Sequence, residues 1–351
     1  MSREIKLQHI VDNSSPQADQ ADAPHTVGAD YPWLVLDAGG SKCAAMLVTP
    51  DGEVKNLVVI QARGPGGRHP EVVWKAVTLT LEGLPPAGIR LAAAGLPKPA
   101  VFLSSRLEEA GWKTACFISI TESSAALALA GRSSGIVALA GTGAFVNVLR
   151  PGHKNIYLDG LGPVLGDIGG AHHIGRIAIR AVAFALQHPR YHTSLITPVF
   201  ETLGIWHLGE FIDWSLTPSD RSVIASMARL VDQEARNGDA VARRILQQAA
   251  EGLATHVADM AESCQLAESH DCVVVATGSV LQRSTIYWDF WCAELKRRNP
   301  NLQPMICSDF PVLGVALDAI RTSGVDLTPA LRQHIINSFR SLTPVIYTVG
   351  A

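Results

Sequence analysis

The sequence predicts an α/β protein of two domains, and three observations carry that reading. Its 351 residues are roughly twice the length of an average domain. Short apolar runs alternate with stretches of helical periodicity, which implies a sheet with helical cover. A unit of strand, glycine turn, strand and turn near residue 33 returns near residue 135, and copies so far apart indicate an internal duplication rather than a solenoid.

Composition narrows the function classes. With 47% hydrophobic and 17% charged residues the chain has ample material for a buried core. Its 29 Lys+Arg against 32 Asp+Glu give a net charge of −3 and no basic field for a nucleic-acid backbone, so nucleic acid is not an expected partner. Apolar runs such as Cys272–Ala276 and Ile136–Ala140 fall far short of the ~20 residues that cross a bilayer, and no membrane partner is expected. The opening Met1-Ser-Arg-Glu4 does not read as a secretory signal, and a cytoplasmic location is expected. The six cysteines are scattered without a C-x-x-C pair and read as reduced core thiols.

Residues 1–30, rich in Ser, Gln, Asp, Ala and Pro, are expected to form a loose extension. Trp33-Leu-Val-Leu36 is a strand, Asp37-Ala-Gly-Gly-Ser-Lys42 a glycine turn, Cys43–Val48 a second strand, and Pro50-Asp-Gly52 a turn. Pro70–Leu84 reads as a helix, Leu91–Gly95 and Ala115–Ile120 as buried strands, and Ala100–Ala110 between them as helix. Gly135–Ala140, Gly141-Thr-Gly143 and Ala144–Leu149 repeat the opening theme, and Cys272–Ser279 reads as a third, partial version. Ile177–Leu266 is mostly helical, most clearly over Asp239–Met260. Asp309–Ile320 pairs a Pro-containing loop with a small-residue helix start at Gly314, where a backbone could approach closely. The expected domains are 31–123 and 124–351, the latter with a helical insertion. For Leu327–Phe339, packing back on the first domain stays open.

Glycine turns at the ends of buried strands expose amides without Cβ obstruction, which suits phosphate oxygens. A Walker loop is absent, and Gly141-Thr-Gly143 runs on as a strand where a Rossmann fingerprint would open a helix. The remaining reading is a nucleotide fold in which two β-hairpins from duplicated halves clamp phosphates. Asp37 could hold Mg²⁺ through waters. Gly39, Gly40, Ser41 and Lys42 form the first turn, and the second offers the Thr142 hydroxyl with the amides of Gly141 and Gly143. An ordinary hairpin turn is the competing reading for each pair, and their repetition at matching places weighs against it. Asp167, in a loop of five glycines, is either a helix N-cap or a second carboxylate over metal and phosphates. The His172-His173 pair reads as structural.

At these residues the sequence resembles the sugar kinase, chaperone ATPase and actin superfamily, and within it the N-acetylglucosamine kinase and BadF/BadG-type ATPase family. Asp37–Lys42, Ala140-Gly-Thr-Gly-Ala144, Gly166-Asp-Ile-Gly-Gly170 and Ala276-Thr-Gly-Ser279 stand in order where that family has its motifs, across roughly Trp33–Ile320. The resemblance implies two RNase H-like (actin/sugar-kinase-like) domains flanking a nucleotide cleft, with ATP and Mg²⁺ as cofactors. It implies an ATP-dependent kinase moving the γ-phosphoryl group to a sugar hydroxyl, with an amino sugar such as N-acetylglucosamine or glucosamine as the expected partner. It implies that Glu122 is the catalytic base where the family has Asp, that Gly278 and Ser279 meet the nucleotide, and that Gly66, Gly67, Thr142 and Asp167 meet the sugar. Asp37 and Asp167 are the implied metal residues. Departures fall on the sugar side: Asp159-Gly-Leu-Gly162 stands for G-G-W-G, Ile168 for a Glu, and Arg63-Gly-Pro-Gly-Gly67 for a loop that often carries Asn. Two other readings stay open: an ATPase coupled to a partner protein, and a regulator that binds nucleotide without turnover. Homodimer formation is also open.

Overall fold

Runs of β-branched and aliphatic residues form strands here, and the amphipathic stretches between them form helices that cover the sheet faces. The computed structural model describes residues 29–349 except 41, 63–65, 97, 98, 151, 189, 218, 219 and 267–271. Most of the expected extension (1–28), Ser41 and Arg63-Gly-Pro65 therefore lie outside the described residues. The chain forms β1 (Trp33–Ala38), β2 (Lys42–Val48), β3 (Val54–Ala62), α1 (Pro70–Thr80), β4 (Gly88–Ala94), α2 (Pro99–Glu109), β5 (Lys113–Ile120) and α3 (Glu122–Leu129). It continues through β6 (Gly135–Ala140), β7 (Ala144–Leu149), β8 (Ile156–Asp159), α4 (Ala171–Gln187), α5 (Ile196–Leu203), α6 (Leu208–Leu216), α7 (Arg221–Arg236) and α8 (Ala240–Ser263). Then come β9 (Cys272–Thr277), α9 (Ser279–Arg283), α10 (Thr285–Arg298), β10 (Leu302–Ile306), α11 (Pro311–Thr322), α12 (Pro329–Ser341) and β11 (Val345–Val349).

Among the described residues two units result: residues 29–133 together with 309–349, and residues 134–308. The first unit holds one sheet in the order β11-β3-β2-β1-β4-β5, and the second a sheet in the order β10-β9-β6-β7-β8. In the first, β2 is antiparallel to β1 and β3, while β1, β4 and β5 are parallel. In the second, β7 is antiparallel to β6 and β8, while β6, β9 and β10 are parallel. Read outward from the glycine hairpins, β3-β2-β1-β4-β5 and β8-β7-β6-β9-β10 match in order and sense, so the duplication is real. Cys272–Ser279 is not a third copy of the hairpin, however. It is β9 with the start of α9, the counterpart of β4, because a strand that pairs parallel to β6 leads into a helix rather than folding back.

In the first unit both sheet faces are buried, which explains the uninterrupted apolar run of β1. Leu34, Leu36 and Ala38 pack with Val73 and Val77 of α1 and with Leu103 and Leu107 of α2. Trp33 and Val35 face the opposite side with Val312, Val315 and Ala316 of α11 and with Ile335 and Phe339 of α12. Gly314 is not a helix start. α11 begins at Pro311, since proline suits the first helical position, and Gly314 lies within its first turn. A Cβ there would run into the Ala125 carbonyl, so the close approach is to α3. In the second unit Ile136, Ala138 and Ala140 of β6 pack against Leu246, Ala249 and Leu253 of α8. Cys43, Cys264, Cys272 and Cys307 are buried, while Cys116 and Cys292 are half-buried. Among the described residues no helix is long and apolar enough to cross a membrane.

Candidate functional site

Each unit places its sequence-singled residues at the carboxyl ends of its parallel strands, where ligands bind in open α/β sheets. In the first unit Asp37 sits in the last turn of β1, paired with Ala44 of β2. The hairpin closes tightly, with the Gly39 amide donating to the Lys42 carbonyl at 2.8 Å. Gly67 packs on that turn: its amide donates to the Gly40 carbonyl at 3.0 Å, and a Cβ there would stand 2.5 Å from the Lys42 nitrogen. Gly67 is thus engaged in bracing the phosphate-type turn, and Gly66 accepts from the His69 amide. Lys42 reaches out with its Nζ 5.5 Å from the Phe310 ring centre.

Glu122 opens α3 immediately after β5. Thr121 caps that helix, accepting from the Ser124 amide at 3.0 Å, while the Ser124 hydroxyl accepts from the Thr121 amide at 3.2 Å. A carboxylate in this first turn is favoured by the helix dipole. Arg68 ties the two strand ends together. Its Nε donates to the Ala38 carbonyl at 3.0 Å, and its Nη2 donates to Glu122 Oε1 at 3.2 Å. Asp37 is buried, and that burial, reinforced by the negative charge of Glu122 and opposed by Lys42 and Arg68, pushes its carboxyl up to about 6. Two carboxylates and two cations therefore share this edge of the sheet. Arg68 escaped the sequence reading, because a single arginine in a glycine-rich loop carries no spacing signal.

In the second unit the Gly141 amide closes the β6–β7 turn onto the Gly143 carbonyl at 2.9 Å. It is therefore not the donor the sequence reading assigned, and the Thr142 hydroxyl with the Thr142 and Gly143 amides remain. The carbonyls of Gly141 and Thr142 accept from the Ala171 and His172 amides, which seats the start of α4 on the turn. Gly278, at φ 96° before α9, meets the same place: a Cβ there would stand 2.5 Å from the Ala140 carbonyl carbon. Ser279 follows it, exposed.

Asp167 is not an N-cap. Gly170 holds that position without any side-chain cap, while Asp167 Oδ1 accepts from the Ala144 amide at 3.4 Å. A Cβ on Gly143 would lie 2.8 Å from the Asp167 carboxyl carbon and both its oxygens, so only glycine leaves room for this carboxylate. Burial, ahead of the neighbouring Asp159 charge, raises the Asp167 carboxyl above its ordinary value. His173 Nδ1 accepts from the Gly169 amide at 3.2 Å, a structural use, whereas buried His172 has no partner for its Nδ1 among the described residues. Burial also lowers the basicity of both histidines. Among the described residues no cluster of three or more His, Cys, Asp or Glu is arranged to hold a metal ion by itself.

Known proteins share this architecture. The BadF/BadG/BcrA/BcrD ATPase family matches residues 36–319. An N-acetyl-D-glucosamine kinase of Dictyostelium discoideum is 26% identical over 194 residues, covering 55% of this chain and 61% of its own. The chain thus spans about three fifths of that relative. An N-acetylmuramic acid/N-acetylglucosamine kinase of Clostridium acetobutylicum is 24% identical over 302 residues, covering 81% of this chain and 96% of its own. Among solved structures, a Chromobacterium violaceum protein provisionally assigned as an N-acetylglucosamine kinase superposes with a TM-score of 0.62 at 21% identity, covering 83% of this chain and 99% of its own. A ROK family glucokinase from Streptomyces griseus, in complex with glucose and AMPPNP, gives 0.52 at 16% identity, covering 83% and 98%. Both likenesses are of fold alone.

Proposed function

The chain belongs to the BadF/BadG/BcrA/BcrD ATPase family, and from that premise we propose that it is an ATP-dependent kinase acting on a hydroxyl of an amino sugar. The observation that carries this reading is the pairing of Glu122 with Asp37 at one edge of one sheet, Arg68 bonded both to Glu122 and to the end of β1. That the Dictyostelium and Clostridium relatives are named as kinases of N-acetylated amino sugars supports the acceptor class.

Glu122 takes the proton of the acceptor hydroxyl. The freed oxygen bonds to the γ-phosphorus of ATP, the bond from that phosphorus to the β–γ bridging oxygen breaks, and ADP leaves with the electron pair. Such a transfer depends mainly on positioning and charge neutralisation. Arg68 keeps Glu122 from swinging away from the strand ends. The glycine turns bring amides close to phosphate oxygens because nothing projects from them. Gly278 and Ser279 serve the nucleotide end of the site. Asp37 suits a divalent cation, since a buried carboxylate with a raised pKa gains most from a neighbouring positive charge. Asp37 in the first unit and Asp167 in the second are each a carboxylate that would suit Mg²⁺, which when bound offsets the charge of the phosphates.

Incubation of purified protein with ATP, Mg²⁺ and a panel of amino sugars and hexoses tests the proposal. A phosphosugar formed from an amino sugar supports it. Sugar-independent ATP turnover without phosphosugar would favour the other reading that the family's description supports, an ATPase working on a partner protein.

A further inference from the structure

Asp159 closes β8, and its backbone lies in the left-handed region at φ 67°. Eight residues on, Asp167 is left-handed too, at φ 59°. Non-glycine residues seldom hold this conformation, and they persist in it only where surrounding contacts over-determine it. Those contacts are visible. Asp159 Oδ1 accepts from the Asp167 amide and Oδ2 from the Ile168 amide, both at 2.7 Å. One carboxylate thus grips two consecutive amides through both of its oxygens, a charge-assisted, two-point hold. Its side chain is only 4% exposed, and α8 sets His256 Nδ1 3.6 Å from Oδ2 behind it. Gly166 is the matching absence: a Cβ there would overlap Asp159 Oδ1. The Asp167 carboxylate on the far side of the same peptide is received by Gly143 and the Ala144 amide.

We infer that Asp159 is a positioning residue that fixes Asp167 against the Gly141–Gly143 turn by holding the 167–168 amides. The inference rests on the role proposed above for Asp167. Asp159 itself meets no substrate. It acts through the peptide whose conformation decides where the Asp167 carboxylate points. Ile168 shows why the backbone must be gripped: its side chain packs toward Gly252 of α8, so the loop is anchored by apolar contact on one side and by Asp159 on the other.

The variants D159N and G166A test this. Asn keeps the size of the side chain but turns an NH₂ toward one of the two amides, so one hydrogen bond is lost. A Cβ at 166 displaces the carboxylate from outside. Amide hydrogen exchange of the whole protein is the first readout, and it does not depend on any activity. Exchange of the 166–169 segment should rise at least tenfold in D159N while α8 and β6 keep wild-type protection. The second readout is steady-state kinetics: both variants should lower kcat by roughly ten- to a hundredfold with KM for ATP and sugar within about twofold. A role confined to stability would lower the melting temperature and leave kcat unchanged well below it. Wild-type exchange at 166–169 in D159N, or wild-type kcat in both variants, would overturn the inference. Failure of the kinase proposal is recognised separately, by wild-type protein that forms no phosphosugar.

Discussion

Replacing Gly143 with alanine should cut kcat roughly tenfold and leave the fold intact. The added Cβ would stand 2.8 Å from the carboxyl carbon and both oxygens of Asp167, where ordinary contact begins near 3.4 Å. The Asp167 backbone cannot simply shift away, because its amide and the next are held by Asp159. The carboxylate or the turn must therefore yield by roughly 0.6 Å. A misplacement of about 1 Å costs ~10² in rate, and scaling that logarithm to the smaller shift gives a loss of ten- to twentyfold, to order of magnitude. Gly143 is not among the residues at positive φ, so alanine meets no backbone penalty, and the overpacking should cost about 1–3 kcal/mol. ADP release measured by a coupled assay at saturating ATP and sugar, beside a melting curve, reads both effects. Wild-type kcat in a normally folded variant would refute the reasoning, since it would mean that the location of the Asp167 carboxylate does not matter.

Three further variants follow from the same geometry. Arg68→Ala should lower kcat about tenfold with little change in melting temperature, since its ion pair with Glu122 is half-exposed and such pairs contribute about 0–1 kcal/mol; an unchanged kcat would remove Arg68 from the site. Asp37→Asn should abolish turnover yet stabilise the ligand-free protein at neutral pH. With its folded pKa raised to about 6 against an ordinary 3.8, wild-type Asp37 binds its proton more tightly when folded, so stability falls as pH rises from about 4 to about 6, by about 3 kcal/mol in all. Melting curves should show the variant ahead at pH 7.5 and level with wild type near pH 4; a variant that melts lower at pH 7.5 contradicts this. Gly314→Ala should destabilise by about 1–3 kcal/mol in denaturant titration, because the new methyl meets the Ala125 carbonyl, and its strain should reach kcat through α3, which carries Glu122.

The parts of this molecule that were legible in sequence are those whose cause is local. A glycine pair between apolar runs makes a hairpin wherever it occurs, so Asp37–Lys42 and Gly141–Gly143 announced both turns and the duplication behind them. Asp167 was visible as a lone carboxylate among glycines, but not its use, because whether it caps α4 or faces Gly143 depends on the amides that Asp159 holds eight residues earlier. The small-residue run at Gly314 signalled a close approach, though not that its neighbour is α3. β3 and β11 pair at the edge of the first sheet although nearly 300 residues separate them, and no local pattern reports such a partner. Arg68 was illegible for the same reason: its meaning lies in the Ala38 carbonyl and Glu122, which adjoin it only in the fold.

The most direct test of the central claim follows the phosphorus. Phosphorus NMR of wild-type protein and of Glu122→Gln, each with ATP, Mg²⁺ and N-acetylglucosamine, reports the fate of the γ-phosphoryl group. Wild type should convert it into a sugar phosphate monoester, one for each ADP, and Glu122→Gln should be slower by about 10²- to 10⁴-fold. Inorganic phosphate appearing alone, at equal rates in the two proteins, would contradict the account.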